Sequence, residues 1–553
     1  MSQINLRPWQ AEAITKALDC FNQNIHRIFL IDAAPGAGKT ICASVLAKEL
    51  IEAKSIERVI VIAPRTEVVR QWSEEFKQVT GRHMSRVSGS EADIEDYGID
   101  VCATWQSVEG LLDGFQNICK QFETLVICDE HHHAAVEAAW GEGADSAFGS
   151  AKHVLILSGT PIRSDGMAPV WFEYNEHGNL DHPEEATYTL TYGEAVDLNY
   201  CRPITFHRHE GRFSVSLQGG DPITVSGAGE AELDDQLKRI NGLQRALDYY
   251  RLACTPKYLP DGKSPDLNSY QATMLEWGID KLDDIRNSMP NAGGLVIAPS
   301  IEVAEYMAAI LEKIDGEKPT VVHNQVKNVE SRIDAFRNTT KRWIVSVAMI
   351  SEGVDIKRLR ILVYLPNAQT ELSFRQSMGR VVRTMGHEDD TRAYVVMPTH
   401  KIFEEYARRV EDEMSPAHRK DTNKKDHKIC GVCEAKNPLD AESCVECETE
   451  FPRRKPKFRP CPECEQLNPV SEENCQFCGA DMNYQFEVTL DEALRTGAIV
   501  RGMDIDEIDV QEGERIKEQV KQRVLASGDA KLISLIRQLP EESWGKLKTI
   551  LDD

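Results

Sequence analysis

Eight cysteines stand in two matching frames, Cys430, Cys433, Cys444, Cys447 and then Cys461, Cys464, Cys475, Cys478. The second frame repeats the first at an offset of 31, and Asn437-Pro438 recurs as Asn468-Pro469 at the same offset. A Cys-x-x-Cys turn lets two thiolates face one ion, and four thiolates close a tetrahedral shell of the kind that holds structural Zn²⁺. The repeat favours two zinc ions, each held by its own four cysteines, with a cross-braced pairing as the alternative. A closed shell leaves no open position, which argues against catalytic zinc. The other seven cysteines are scattered through the first 254 residues. Clustering in close pairs points to metal rather than disulfides.

A second set of residues suits phosphate chemistry. The run Ala33-Ala34-Pro35-Gly36-Ala37-Gly38-Lys39-Thr40 follows an apolar strand and opens a helix. Gly36 and Gly38 let the backbone N–H groups of this loop, that of Ala37 included, close around phosphate oxygens at the positive end of the helix, while Pro35, which has no N–H, shapes the turn. Lys39 reaches the β- and γ-phosphates, and Thr40 places its hydroxyl on Mg²⁺. The strict pattern has Gly where this chain has Ala33. Farther on, an apolar strand ends in Asp129-Glu130, followed by His131-His132-His133. One carboxylate, Asp129, holds Mg²⁺ through water, and the other, Glu130, orients or deprotonates the attacking water. Three adjacent histidines do not converge on one ion, so His131, His132 and His133 are expected in a coupling or structural role. Arg380 and Arg383, three apart on an expected helix, can both face a cleft and bring positive charge to phosphoryl oxygens, although by themselves they read as a surface arginine pair.

With further motifs in the same order, these residues resemble superfamily 2 helicases and translocases of the DExH form. Leu6-Arg7-Pro8-Trp9-Gln10 resembles the Q-type motif, which implies that Arg7 and Gln10 contact adenine. Ala63-Pro64-Arg65-Thr66 with Gln71-Trp72 resembles motif Ia, Thr104-Trp105-Gln106-Ser107 motif Ib, Ser158-Gly159-Thr160-Pro161 motif III and Ala298-Pro299-Ser300 motif IV. Residues 347–355, with Gly353 and Asp355 toward the nucleotide, resemble motif V, and 376–383 resemble motif VI. The resemblance covers residues 4–410 and implies ATP with Mg²⁺ between two lobes. It also implies a strand track in which Arg65, Thr66, Thr104, Gln106 and Ser300 contact phosphates without reading sequence. The combination of motor and C-terminal cysteines is most similar to bacterial DNA-repair helicases of the RadD type, and to the motor cores of restriction and anti-phage systems. That likeness alone favours DNA over RNA. The expected function is an ATP-dependent helicase or translocase in DNA repair or antiviral defence. The alternative is an ATP-switched nucleoprotein remodeller, or a scaffold or sensor that binds nucleic acid and partner proteins without unwinding. No nuclease signature accompanies the motor.

Strands and helices must carry these groups. Apolar strands near 27–31, 58–63, 99–103, 124–128 and 152–157 alternate with helical patterns such as 40–53 and 67–78, which predicts an α/β lobe with a parallel sheet over 1–205. A second alternating block predicts another RecA-like lobe over 291–413. Residues 206–290 read as an insert between the lobes, a hairpin followed by two helices. A basic linker is expected over 414–429, a double zinc ribbon over 430–482 and a helical tail over 483–553. In that tail, apolar residues at helical spacing between 532 and 551 favour a small helical core over a partner-binding face.

The chain of 553 residues has a formal charge of −25, so its global field does not favour polyanions. Any nucleic-acid contact must therefore be local. The run Arg453, Arg454, Lys455, Lys457, Arg459 between the two cysteine frames supplies such a patch, with a solvated spacer as the alternative. No apolar run approaches the ~20 residues of a membrane helix and no signal-like N-terminus is visible, so a cytoplasmic location without membrane contact is expected.

Overall fold

The computed structural model describes residues 5–501, apart from 65, 88–97, 131–145, 160–170, 175–179, 218–221, 228–242, 324, 348–355, 386–388, 420–426, 431, 434, 439–440, 452–457, 462, 470–473, 481–484 and 496–499. Two parallel sheets organise it, each the centre of a RecA-like domain. The first runs in the order Met84–Val87, Asp100–Thr104, Arg58–Ala63, Thr124–Asp129, His153–Ser158, Ile28–Ala33, Thr187–Leu190. Its central strands are apolar on both faces, and His153–Ser158 is buried along its whole length. That is the pattern of a parallel sheet covered by helices on both sides. Helix Lys39–Glu52 begins at the carboxyl end of Ile28–Ala33, and Asp129 and Ser158 end the next two strands over. Open sheets of this kind bind ligands at this edge, where the described residues include loop 34–38, Glu130 and Gly159.

The second sheet runs Ile204–His209, Ala393–Pro398, Leu359–Tyr364, Gly293–Ile297, Trp343–Ser346, Thr320–Val322, again all parallel. This corrects the expected insert over 206–290. Ile204–His209 is an edge strand of the second sheet, in register with Ala393–Pro398, and helix Tyr270–Arg286 lies across the sheet. Gly278 allows the close approach, since a Cβ there would sit 3.2 Å from the Trp343 ring and 3.3 Å from Val363. The strands invisible to the apolar pattern, Met84–Val87, Thr187–Leu190, Ile204–His209 and Thr320–Val322, are at or near sheet edges. There one side faces water and polar residues such as Arg86, Arg208 and His207 are tolerated.

The expected hairpin forms, with Arg212–Ser216 antiparallel to Ile223–Ser226. Its third strand comes from the far end of the chain, because Gln485–Thr489 pairs parallel with Arg212–Ser216. The tail thus starts as a strand, as the alternation of buried Phe486 and Val488 with exposed neighbours requires. Val500–Arg501 then pairs with Ala368–Gln369. The front of the expected linker is docked rather than loose. Met414 is buried, Ser415 Oγ donates to Asp197 at 3.0 Å, and Arg392 Nη2 donates to the His418 carbonyl at 2.5 Å. The apolar stripe of 532–551 lies outside the described residues. No described helix is long and apolar enough to cross a membrane.

Candidate nucleotide cleft and cysteine groups

A cleft of about 340 Å³ opens between the lobes, inside the roughly 300–1,000 Å³ range of small-molecule sites. Lys39, Thr40, Asp129 and Glu130 line it from the first lobe, and Gln376, Arg380 and Arg383 from the second. The phosphate loop bends through Gly36 and Gly38, at φ 82° and 100°, a region that favours glycine. A Cβ on Gly36 would lie 2.8 Å from Arg383 Cγ, so the arginine is packed directly over the loop. Lys39 Nζ donates to the Ala33 carbonyl at 2.8 Å, and a Cβ on Gly159 would meet that ammonium at 2.7 Å. The missing side chains at Gly36 and Gly159 let Arg383 and Lys39 close on the loop, and two cations held there fit a bound phosphate group.

Residues assigned to adenine from the resemblance also brace the loop. Arg7 Nη1 donates to the Ala37 carbonyl at 2.8 Å and Gln10 Nε2 to the Gly38 carbonyl at 2.9 Å. The Arg7 guanidinium stacks on Tyr200 at 4.7 Å, and burial lowers its pKa. Asp129 is oriented by two tryptophans. Trp72 Nε1 donates to its Oδ2 at 2.7 Å and Trp105 Nε1 to its backbone carbonyl at 3.2 Å. Glu130 takes a left-handed backbone, φ 50°, with its N–H donating to the Leu157 carbonyl at 3.0 Å. The expected helix under Arg380 and Arg383 ends earlier. Helix Glu371–Met378 stops before Gly379, and both arginines stand on the turn that follows, where Arg383 forms an isolated bridge with Cys201. Gly353, Asp355, Thr160 and His131–His133 lie outside the described residues.

Sequence reasoning passed over Asp32. It borders a second cavity of about 110 Å³ behind the loop, shared with Arg375 and Glu413, and burial pushes its carboxyl up to about 7 against the pull of Lys39 and Arg375. A polar residue inside an otherwise apolar strand was the available signal.

Two family models match the chain, one described as Type III restriction enzyme, res subunit, over residues 3–163, the other as Helicase conserved C-terminal domain over residues 277–385. The chain carries a superfamily 2 helicase core. An uncharacterised protein of Mycobacterium tuberculosis (strain ATCC 25618 / H37Rv) is 30% identical over 385 residues, 68% of this chain and 59% of that protein. The chain therefore spans less than two thirds of that relative. The type I restriction enzyme EcoAI endonuclease subunit of Escherichia coli is 25% identical over 68% of this chain and 44% of its own. A solved fragment assigned as the HsdR subunit of a type I restriction enzyme from Vibrio vulnificus YJ016 shares the fold. Its TM-score is 0.50 at 18% identity, over 72% of this chain and 65% of that one.

The residues expected along the strand track of this helicase core are unevenly placed. Thr66 is exposed at the start of helix Thr66–Thr80. Thr104 is buried, with its hydroxyl hydrogen-bonded to that of Ser107 at 2.9 Å. The same short spacing that made it resemble a motif lets the two hydroxyls pair. Ser300 caps helix Ile301–Ile314, its Oγ accepting from Val303 N at 3.3 Å. Arg65, the Gln106 side chain, Arg453, Arg454, Lys455, Lys457 and the Arg459 side chain lie outside the described residues.

Beyond the helicase core, the cysteines gather as two sequential groups. The sulfurs of Cys430, Cys433, Cys444 and Cys447 all lie within 4.8 Å of one another, and so do those of Cys461, Cys464, Cys475 and Cys478. Cys430–Cys447 and Cys433–Cys444 are 3.5 Å apart, and the corresponding pairs of the second group 3.6 Å. A tetrahedron with Zn–S bonds of about 2.3 Å has edges near 3.8 Å, so the groups fit zinc. Asn437 and Asn468 hold each knuckle, their Oδ1 accepting from Val445 N and Gln476 N at 2.8 Å. Backbone N–H groups of Cys447 and Glu446 draw the Cys444 thiol down to about 6.

Proposed function

We propose that the protein is an ATP-dependent nucleic-acid helicase or translocase that acts on DNA in preference to RNA, in DNA repair or antiviral defence. The observation that carries the reading is the shared cleft, since Arg380 and Arg383 of one lobe line the same space as Lys39, Thr40, Asp129 and Glu130 of the other. In this reading Lys39 and the loop amides grip the β- and γ-phosphates. Glu130, turned out of its strand, orients the attacking water and accepts its proton. Arg380 and Arg383 stabilise charge on the transferring phosphoryl group as ADP departs. Thr40 and Asp129 would hold Mg²⁺, which neutralises charge on the β- and γ-oxygens. Because each lobe owns half of the set, nucleotide draws the lobes together and hydrolysis releases them, and that alternation drives movement along a strand. The two cysteine groups hold Zn²⁺ and, with the basic run between them, supply a second contact to nucleic acid or to a partner protein.

The test is ATP hydrolysis by the full chain with single-stranded DNA, duplex DNA, forked DNA and RNA in turn. Stimulation by a DNA form above RNA is expected. A rate unchanged by every polymer overturns the motor reading, and a larger response to RNA overturns the preference for DNA.

A further inference from the structure

The chain crosses from the first lobe to the second through residues 199–203, and this short segment grips both walls of the cleft. On one side Cys201 Sγ donates to the Pro35 carbonyl of the phosphate loop at 3.3 Å. On the other, Cys201 bridges Arg383, and Arg202 N–H donates to the Val382 carbonyl at 2.7 Å. The Arg202 guanidinium then reaches beneath the arginine turn, with Nη1 donating to the Val381 carbonyl at 2.9 Å and Nη2 to the Lys357 carbonyl at 3.1 Å. Arg202 is 1% exposed. Asp389 holds it at 2.5 and 3.0 Å and also takes Arg360 at 3.1 Å, while the Thr391 hydroxyl accepts from Nε of both arginines at 3.0 and 2.8 Å.

Two guanidinium groups against one carboxylate, all buried, is a poor way to gain stability, because apolar packing of the same volume commonly does as well or better. What it supplies is direction. A planar fork with five donors fixes the backbone carbonyls of the turn in a way that no apolar side chain or single ammonium can.

We infer that Arg202, locked by Asp389 and Thr391, is a positioning residue that sets the 379–383 turn against the phosphate loop and so governs how Arg380 and Arg383 meet the transferring phosphoryl group. The inference rests on the assignment of those two arginines in the proposed function. Arg202 touches no substrate and acts through the carbonyls of Val381 and Val382. Misplacing a reacting group by about 1 Å costs up to roughly 100-fold in rate. Arg202→Lys keeps the charge beside Asp389 but loses the fork, so kcat for ATP should fall by about 10- to 100-fold while KM stays within about twofold. Thr391→Val, nearly isosteric, should lower kcat severalfold and remains informative if Arg202→Lys does not fold.

The decisive readout is non-additivity. If Arg202 works through the turn, Arg383→Ala with Arg202→Lys, or with Thr391→Val, should lose clearly less than the product of the separate losses, because only Arg380 is left to be misplaced. A merely structural residue would add its loss in full. Folded variants that hydrolyse at the parental rate, or that add their losses in full to Arg383→Ala, overturn the inference. If Arg383→Ala itself hydrolyses normally, the assignment of the arginines fails and the inference falls with it. That outcome is distinct, because it needs no change at Arg202.

Discussion

The cysteine groups and the nucleotide cleft gather their atoms over very different lengths of chain. Each cysteine group closes within one repeat, 430–447 or 461–478, and its knuckles are tied by an asparagine from the same repeat. The cleft draws on Arg7, the loop 33–40, Asp129 and Glu130, and the turn holding Arg380 and Arg383, so it exists only when two sheets are folded and apposed. A local site depends on short turns and one ion. A distributed site depends on every element that spaces its parts, which is why, among the described residues, tryptophans and a buried ion cluster stand around the cleft.

Substitutions can break that contrast or sharpen it. The largest effect belongs to Lys39→Ala, which should reduce ATP hydrolysis by roughly 100-fold or more while zinc content, measured by metal analysis, stays unchanged. Loss of zinc together with hydrolysis would show the two regions to be coupled. Next is Cys475→Ser, expected to release the zinc of its own group and leave the other group loaded. Loss of both ions would mean that the repeats do not close independently. Trp72→Phe removes the hydrogen bond to Asp129 and should lower kcat about 10-fold with a raised Mg²⁺ requirement, in line with other residues that orient metal ligands. A normal Mg²⁺ titration would restrict Trp72 to packing.

The smallest effect at neutral pH concerns His207, which stacks on Trp277 at 4.2 Å and whose pKa is lowered to about 4 by burial, then by Arg208. The folded state holds it neutral while the unfolded chain protonates it near 6.5, so unfolding takes up a proton as pH falls. Stability is therefore full above about pH 6.5 and is lost between about 6.5 and 4, by on the order of 1–3 kcal/mol. His207→Phe should remove that part of the acid sensitivity in melting curves read from the second lobe. An unaltered acid profile would place the sensitivity elsewhere.

Legibility follows the same division. The phosphate loop, the Asp129-Glu130 pair and the cysteine frames were readable because short-range spacing alone makes their chemistry. Ile204–His209 was not, since His207 and Arg208 hide an edge strand inside a segment that reads as an insert. The return of Gln485–Thr489 to Arg212–Ser216 was hidden because strand pairing leaves no mark of its partner in either segment. The Thr104–Ser107 hydrogen bond was likewise unmarked, since nothing in the sequence shows which hydroxyls of a motif pair with each other.

From the amino-acid order alone came the helicase likeness, the paired parallel sheets, the residues suited to phosphate and the two four-thiolate sets, all of them properties of neighbouring residues and periodicity. Folding in three dimensions decided which far-separated groups share a cleft. It put Trp72 and Trp105 on Asp129, set Arg380 and Arg383 on a turn rather than a helix, and passed the crossover at 201–202 between both walls. The reason is that burial and hydrogen-bond satisfaction act on whole packed surfaces, and partners distant in sequence are chosen by the surfaces they complete.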